Sequence, residues 1–389
     1  MATLMAIVGV GVFASSITAY FNASDKTVWV ATILSIAQIA LGPPLAQAAD
    51  FWGRKWFLVV CSACRFIGAV VISRAKNIGV LLVGFAILSI SYSTQALLTA
   101  VASENITRQM QPLAQESLIF AGCSGGAIGL LMGGKLLQHG NLPNYRIYFY
   151  VLAAVYGVAT LGCLLCYNPP RRELQLLPLK DKLRGLDCVG YVLFSPSLAL
   201  FCIALAWAEN PWPWSNYWVH TPLIICFVAM GLFMLYEWKG RKDGIFHHGI
   251  VRNRNFALSA IGIWVEGFTF FTINVYLGYE FRLFTGADTL VSNIPTVITF
   301  VGCLSFSLLF GAYSSKMKSL RAPIFMAFVL LLIFNILMIA VTARTSRSAI
   351  MGYSLRHRRP APRGGAPIQP PGGACLPGIR SLHRRPCRG

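Results

Sequence analysis

Leu45-Ala46-Gln47-Ala48-Ala49-Asp50-Phe51-Trp52-Gly53-Arg54-Lys55 lies between two long apolar runs. A short loop with an Asp, a Gly and two cations between apolar segments marks two membrane-crossing helices joined at a gated end of a bundle. The rest of the chain agrees with that reading. Of its 389 residues, 56% are apolar and 12% charged, and the mean hydropathy is +0.62. A soluble domain carries about 25% charged residues. The apolar residues come in runs of roughly 20, the length that crosses a hydrocarbon core of ~30 Å. The fold class expected is an all-α polytopic membrane protein.

Eleven spans are expected, at residues 2–20, 28–48, 57–73, 78–101, 114–137, 147–167, 188–208, 218–236, 256–278, 289–311 and 323–343. The first has no basic region before it, and Asn22-Ala23-Ser24 is a poor cleavage site. It therefore reads as a first helix without a cytosolic lead-in, not as a signal peptide. With the Asp50–Lys55 loop in the cytosol, the loops on that side hold 16 basic residues and those on the other side 6. Positive charge gathers on the cytosolic side of membrane proteins, so the amino terminus is placed inside. The formal net charge of +20 follows from this topology and from the tail, and nucleic acid is not an expected partner. The expected partners are the lipid bilayer, a small-molecule substrate and protons.

Most of the eleven cysteines fall within spans. The pairs Cys61/Cys64 and Cys163/Cys166 lie on apolar helices and read as small packing residues. Zinc or redox chemistry needs further ligands that the sequence does not supply. No metal site, no cofactor and no catalytic residue is expected. From about Arg344 the character changes: residues 344–389 hold ten Arg, seven Pro and seven Gly, with no Lys, Asp or Glu. Such a segment cannot bury a core and is expected to be disordered. Its composition suggests GC-rich codons read in another frame or through an intron. The alternative is a genuine basic tail that binds anionic lipid.

Asp50, Gly53, Arg54 and Lys55 match the signature loop of the major facilitator superfamily. Narrower matches are Arg65, Arg146-Ile147-Tyr148-Phe149-Tyr150, Asn168-Pro169-Pro170-Arg171-Arg172-Glu173-Leu174 and Leu186-Asp187-Cys188-Val189-Gly190-Tyr191. Asn210-Pro211-Trp212-Pro213-Trp214-Ser215, Tyr236-Glu237-Trp238-Lys239 and the stretch from Phe246-His247-His248 to Ala257 complete the set. Over residues 5–340 the chain resembles the fungal fourteen-helix transporters typified by trichothecene efflux pumps; the siderophore transporters are close relatives of these. The resemblance implies two six-helix bundles with two extra helices between them. Residues 1–167 would form the first bundle, 168–187 a cytosolic loop, 188–236 the inserted pair and 237–255 a basic cytosolic loop. Residues 256–343 would form part of the second bundle, with its last three helices missing, and 344–389 the tail. The implied function is proton-coupled export of small apolar metabolites, toxins or drugs, at the plasma or the vacuolar membrane. Siderophore uptake and a non-transporting remnant are the alternatives.

The candidate functional residues follow from this frame. Asp50, Gly53, Arg54 and Lys55 form a gating loop, with Asp50 accepting from a helix amino end and Glu104 a partner for Arg54. Glu266, mid-span, is the candidate proton carrier, because a carboxylate at bilayer depth is costly unless it faces a cavity or a partner. Arg65, Tyr92, Gln95, Asn274 and Tyr276 are polar groups in apolar spans and are candidate cavity residues. Gly125, Gly129, Gly133 and Gly134, at spacings that place them on one helix face, allow close helix packing. The sequence Gly129-Leu130-Leu131-Met132-Gly133-Gly134 resembles an antiporter signature whose proline is here Leu130. The tryptophans of Glu209–Trp218 read as an interfacial aromatic belt.

Overall fold

Every run expected to cross the membrane folds as a helix. In a hydrocarbon surround, backbone N–H and C=O groups must pair within the segment, and a helix does this. The computed structural model describes residues 1–138, 142–169, 173–176, 178–209, 212–239, 254–285, 289–319 and 321–339. The first bundle is built from α1 (Ala2–Tyr20), α2 (Thr27–Trp52), α3 (Arg54–Arg74), α4 (Ile78–Ile90), α5 (Gln95–Glu104), α6 (Gln111–Leu137) and α7 (Tyr145–Cys166). Two short helices follow, α8 (Glu173–Leu176) and α9 (Leu179–Gly185), in the segment expected to be a loop. Then come α10 (Cys188–Trp207), α11 (Tyr217–Lys239), α12 (Arg254–Thr285), α13 (Thr289–Met317) and α14 (Arg321–Ile339). Among the described residues, nine helical stretches are long and apolar enough to cross a membrane. The ninth and eleventh expected spans are α12 and α14, the latter with a shorter apolar stretch, Ala322–Ile336. His247-His248, Asn210-Pro211, Arg171-Arg172 and the tail from Arg344 lie outside the described residues.

The fourth span departs from the expected unbroken helix. It divides into α4 and α5 around a 3₁₀ turn, Ser91–Thr94. The cause is local: Ser89, Ser91 and Thr94 turn their hydroxyls back onto the carbonyls of Ala86, Leu88 and Ser91 at 2.7, 2.6 and 2.7 Å. Such bonds compete with the helical ladder.

The core of the first bundle lies between α1, α3, α4 and α7, with Phe13, Ile17, Ile72, Leu81, Phe85, Phe149 and Leu152 fully buried. Two glycines set the α3–α4 crossing. A Cβ on Gly68 would stand 2.7 Å from the Leu88 backbone nitrogen, and one on Gly84 would stand 2.8 Å from Ile72. The helices α10 and α11 pack on each other, and α10 also packs along α2. Ser195 Oγ donates to the Ala40 carbonyl at 2.6 Å, and Trp29 meets Trp207 edge-on. The outward faces of α10 to α14 are apolar and open: Val192, Trp264 and Phe325 are each about two-thirds exposed or more. That is the pattern expected where lipid is the solvent.

The helices α6 and α13 run antiparallel along most of their lengths. Successive contacts fix the register: Ser315 Oγ donates to the Gln109 carbonyl at 2.7 Å, Gly311 faces Glu116, Cys303 faces Cys123, Phe300 lies on Gly126, and Leu290 lies on Gly134. This seam joins the first bundle to the helices after the inserted pair.

Candidate functional site

The signature loop is a turn of one residue. Gly53 is the single residue between α2 and α3, with φ +105° and ψ 130°. A side chain is strained there, so the glycine makes the tight reversal possible. The reversal folds Arg54 back over the end of α2. Arg54 donates from Nε and Nη2 to Asp50 Oδ1 at 2.9 and 2.6 Å, and from Nη1 to Glu104 Oε2. The Arg54 side chain is only 9% exposed, while its two carboxylate partners are about 40% exposed. One cation thus ties the ends of α2, α3 and α5 together. Asp50 is expected to accept from the amino end of a neighbouring helix, and its donor stands at the start of α3. Across the Gly53 reversal, the donor to Asp50 is the guanidinium of Arg54, the first residue of α3. Lys55 Nζ donates to Asn168 Oδ1 at 2.6 Å, joining α3 to the segment after α7.

Arg65 and Tyr92 are brought together inside the first bundle. Arg65 is buried, with its guanidinium 5.7 Å from the ring centres of Tyr92 and Tyr156. It donates to the Ser91 carbonyl, to Thr94 Oγ1 at 3.3 Å and to Thr3 Oγ1 at 3.2 Å. The 3₁₀ turn disturbs the helical ladder at Ser91, and Arg65 satisfies that carbonyl. Tyr92 and Tyr156 donate their hydroxyls to the Thr3 and Ala2 carbonyls at 3.3 and 3.1 Å. Arg65 sits eleven residues into α3, away from either end, and reads from its contacts as the brace of a broken helix. Gln95 is exposed at the start of α5, and Tyr276 is 55% exposed on α12. The side chain of Asn274 lies outside the described residues. None of Arg65, Tyr92, Gln95 and Tyr276 lines the cavity described next.

That cavity, of about 730 Å³, lies between α6 and the helices α12, α13 and α14. Its polar wall is Ser103, Arg108, Gln111, Gln115, Glu116, Glu266 and Ser314; Ile119, Phe310, Ile324, Phe328 and Leu331 are among its apolar residues. Glu266 therefore faces a cavity, and Glu116 lines the same cavity from α6. Gln115 Nε2 donates to the Thr99 carbonyl at 2.9 Å and Gln111 Nε2 to the Ser103 carbonyl at 2.8 Å, which hold α5 against α6 at the cavity wall. Ser103 lines the cavity and the next residue, Glu104, holds Arg54.

The glycines of α6 serve two faces. Positions 125, 129 and 133 approach α1: Cβ atoms there would meet the Met1 backbone, Met5 with the Tyr148 hydroxyl, and Val12 with Phe13. Gly134 turns the other way, where a Cβ would stand 3.0 Å from Leu290, and shares that face with Gly126. The single stripe expected from the sequence is corrected to two, because positions four apart drift only slightly around a helix while position 134 follows 133 by about 100°.

Sequence reasoning missed Glu116, whose place near the start of a span looks like ordinary interfacial charge until α12 brings Glu266 to it. It also missed a polar cluster that fastens the inserted pair. Asp187, buried, caps α10 by accepting from the Gly190 N–H at 3.1 Å and accepts from Tyr236 Oη of α11 at 2.9 Å. Gln47 of α2 accepts from Tyr191 Oη and from the Asp187 N–H. The signal for Asp187 was present: an Asp directly before an apolar run is a helix N-cap.

A family model described as Major Facilitator Superfamily matches residues 1–356. The MFS-type transporter gkaD of Penicillium citrinum is 32% identical over 229 residues, which is 57% of this chain and 37% of that protein. The MFS-type efflux pump MFS1 of Arthroderma benhamiae is 23% identical over 349 residues, 87% of this chain and 63% of its own length. The efflux pump dotC of Dothistroma septosporum is 24% identical over 293 residues, 73% of this chain and 49% of its own. The chain spans about half the length of the curated relatives it matches.

Proposed function

Because the chain belongs to the major facilitator superfamily, we propose that it acts as a secondary transporter of the fungal fourteen-helix efflux type, exporting small apolar metabolites, toxins or drugs as protons enter. It is an integral membrane protein, and the plasma membrane is the site we assign it. The observation that carries the reading is the cavity between α6 and α12–α14, where Glu116 and Glu266 stand on a polar wall that faces an apolar one. Two like charges facing one cavity repel, and taking up one proton relieves that repulsion. Arg108, at the same wall, supplies the opposing cation. The apolar side, with Phe310, Phe328 and Leu331, suits a hydrophobic molecule of a few hundred Å³. Alternating access then couples proton entry to release of that molecule, with the Asp50–Arg54–Glu104 bridge closing one end. The names of the relatives, two of them efflux pumps, support the direction of transport.

The test is dye export from proteoliposomes carrying an imposed pH gradient, with rhodamine 6G as the probe. Wild type exports the dye only while the gradient lasts. Glu266→Gln and Glu116→Gln each lower gradient-driven export at least tenfold, with protein levels unchanged. Gradient-driven export surviving in the double variant sinks the carboxylate mechanism.

A further inference from the structure

We infer that Cys123 and Cys303 form a redox-active dithiol that a peroxide converts into a disulfide, covalently joining the first bundle to α13. The two sulfur atoms lie 3.1 Å apart across the α6–α13 seam, and both cysteines are free. A disulfide spans about 2.04 Å, so closure asks for an approach of about 1 Å. The seam can supply it. The cysteines face each other in a continuous antiparallel register, between the Gly311–Glu116 and Gly126–Phe300 contacts, where side chains on one helix meet glycines on the other. Around them the packing is apolar: Val8, Ala127, Leu130, Phe300 and Leu304. By contrast, Cys61 and Cys64 share one helix and could fasten no helix to another.

The two thiols are unequal in access. Cys123 is 2% exposed, and Cys303 is half-buried. The cavity lies on the same two helices: Glu116 and Phe310 line it, each seven residues from its cysteine, about 10 Å. The Cys303 sulfur attacks one peroxide oxygen and breaks the O–O bond. It becomes a sulfenic acid, and the other oxygen leaves as water with the thiol proton. The Cys123 sulfur then attacks the sulfenic sulfur. The S–S bond forms, the S–O bond breaks, and a second water carries away the remaining thiol proton. Two electrons pass from the sulfur pair to the peroxide, and a thiol reductant reverses the change.

Joining the helices fixes their spacing. Resting on the transport reading above, the disulfide arrests the rocking of one bundle on the other; the covalent joining itself stands without that reading. The experiment uses the full chain in membranes, with a protease site inserted between residues 240 and 253. Hydrogen peroxide is added, the site is cut, and the product is run without reductant. The wild-type halves remain joined as one band that dithiothreitol separates, and mass spectrometry finds the Cys123–Cys303 peptide pair. In Cys123→Ser and in Cys303→Ser the halves separate with or without peroxide. Absence of a reductant-sensitive joined band in wild type overturns the inference, as does a joined band that persists in Cys303→Ser. Oxidised wild type also loses rhodamine 6G export at least tenfold and regains it on reduction, while Cys123→Ser is indifferent to peroxide. A joined chain that exports at its unoxidised rate overturns the arrest. A chain that exports nothing before oxidation counts against the transport reading, and the joined band still decides the dithiol.

Discussion

Replacing Glu104 by Gln tests whether the Asp50–Arg54–Glu104 bridge holds one end of the molecule closed. Arg54 is held by two carboxylates and is itself nearly buried. A full charge pair at about 4 Å is worth about 4 kcal/mol at an effective dielectric of 20, whereas an exposed pair is worth about 0–1 kcal/mol. Glu104 is 40% exposed, so its contribution falls between these limits, at about 1.5 kcal/mol. The amide of Gln still accepts a hydrogen bond, so only the charge is removed. A change of about 1.4 kcal/mol is tenfold in an equilibrium, and the joined and parted arrangements shift by roughly that factor. The readout is a cysteine in place of Ser314, which is 5% exposed and lines the cavity. Its labelling by a water-soluble maleimide, followed by mass spectrometry of its peptide, accelerates about tenfold in Glu104→Gln and by a similar factor in Asp50→Asn. Cys226, 3% exposed on α11, stays protected in both and excludes general unfolding. Labelling rates within twofold of the parent in both variants refute the gate.

Two further outcomes concern glycines. Gly53→Ala places a side chain at φ +105°, costs about 1–3 kcal/mol, and lowers the melting temperature in detergent; Asn gives no rescue, because ψ 130° lies outside the left-handed helical region it tolerates. Gly68→Ala drives a methyl to 2.7 Å from the Leu88 backbone nitrogen and destabilises by about 1–3 kcal/mol, while Gly79→Ala, with nothing within 4 Å, leaves the melting temperature unchanged or raises it. Equal melting of the two variants contradicts the close α3–α4 crossing.

The helices were legible because hydropathy is a one-dimensional signal, and the α2–α3 reversal was legible because Gly53 stands alone between Trp52 and the basic pair. The break in the fourth span was also written in the chain: Ser89, Ser91, Ser93 and Thr94 crowd hydroxyls into six residues, where they compete with backbone bonds, but the apolar run around them hid the signal. What could not be read was which residues meet across helices. Arg65 looks like a cavity cation until the Ser91 carbonyl and two tyrosines appear beside it. The pairing of Glu116 with Glu266, and of Cys123 with Cys303, depends on the register of α6 with α12 and α13, which no local pattern encodes.

The two faces of α6 differ in kind, and the difference determines where the molecule can move. Toward α1 the glycines of α6 seat closely on Met1, Met5, Val12 and Phe13, and α1 is also held from α7 and the fourth span: Tyr148 Oη of α7, its ring between Gly9 and Gly129, donates to the Met5 carbonyl at 2.5 Å, and Tyr156 and Tyr92 bond further α1 carbonyls. Displacing α1 breaks several buried hydrogen bonds, each costing about 1–3 kcal/mol when its group is left unsatisfied. Toward α13 the middle of the face is Ala127, Leu130, Phe300 and the two thiols, with the Ser315 bond at the far end. Dispersion contacts between apolar groups are weak singly and non-directional; because Phe300 and Leu290 seat on Gly126 and Gly134, this face parts more easily than it slides. The rocking proposed above would therefore part the halves at the α6–α13 seam, with α1 and α7 held together by the tyrosine bonds, and would change the shape of the cavity beside that seam.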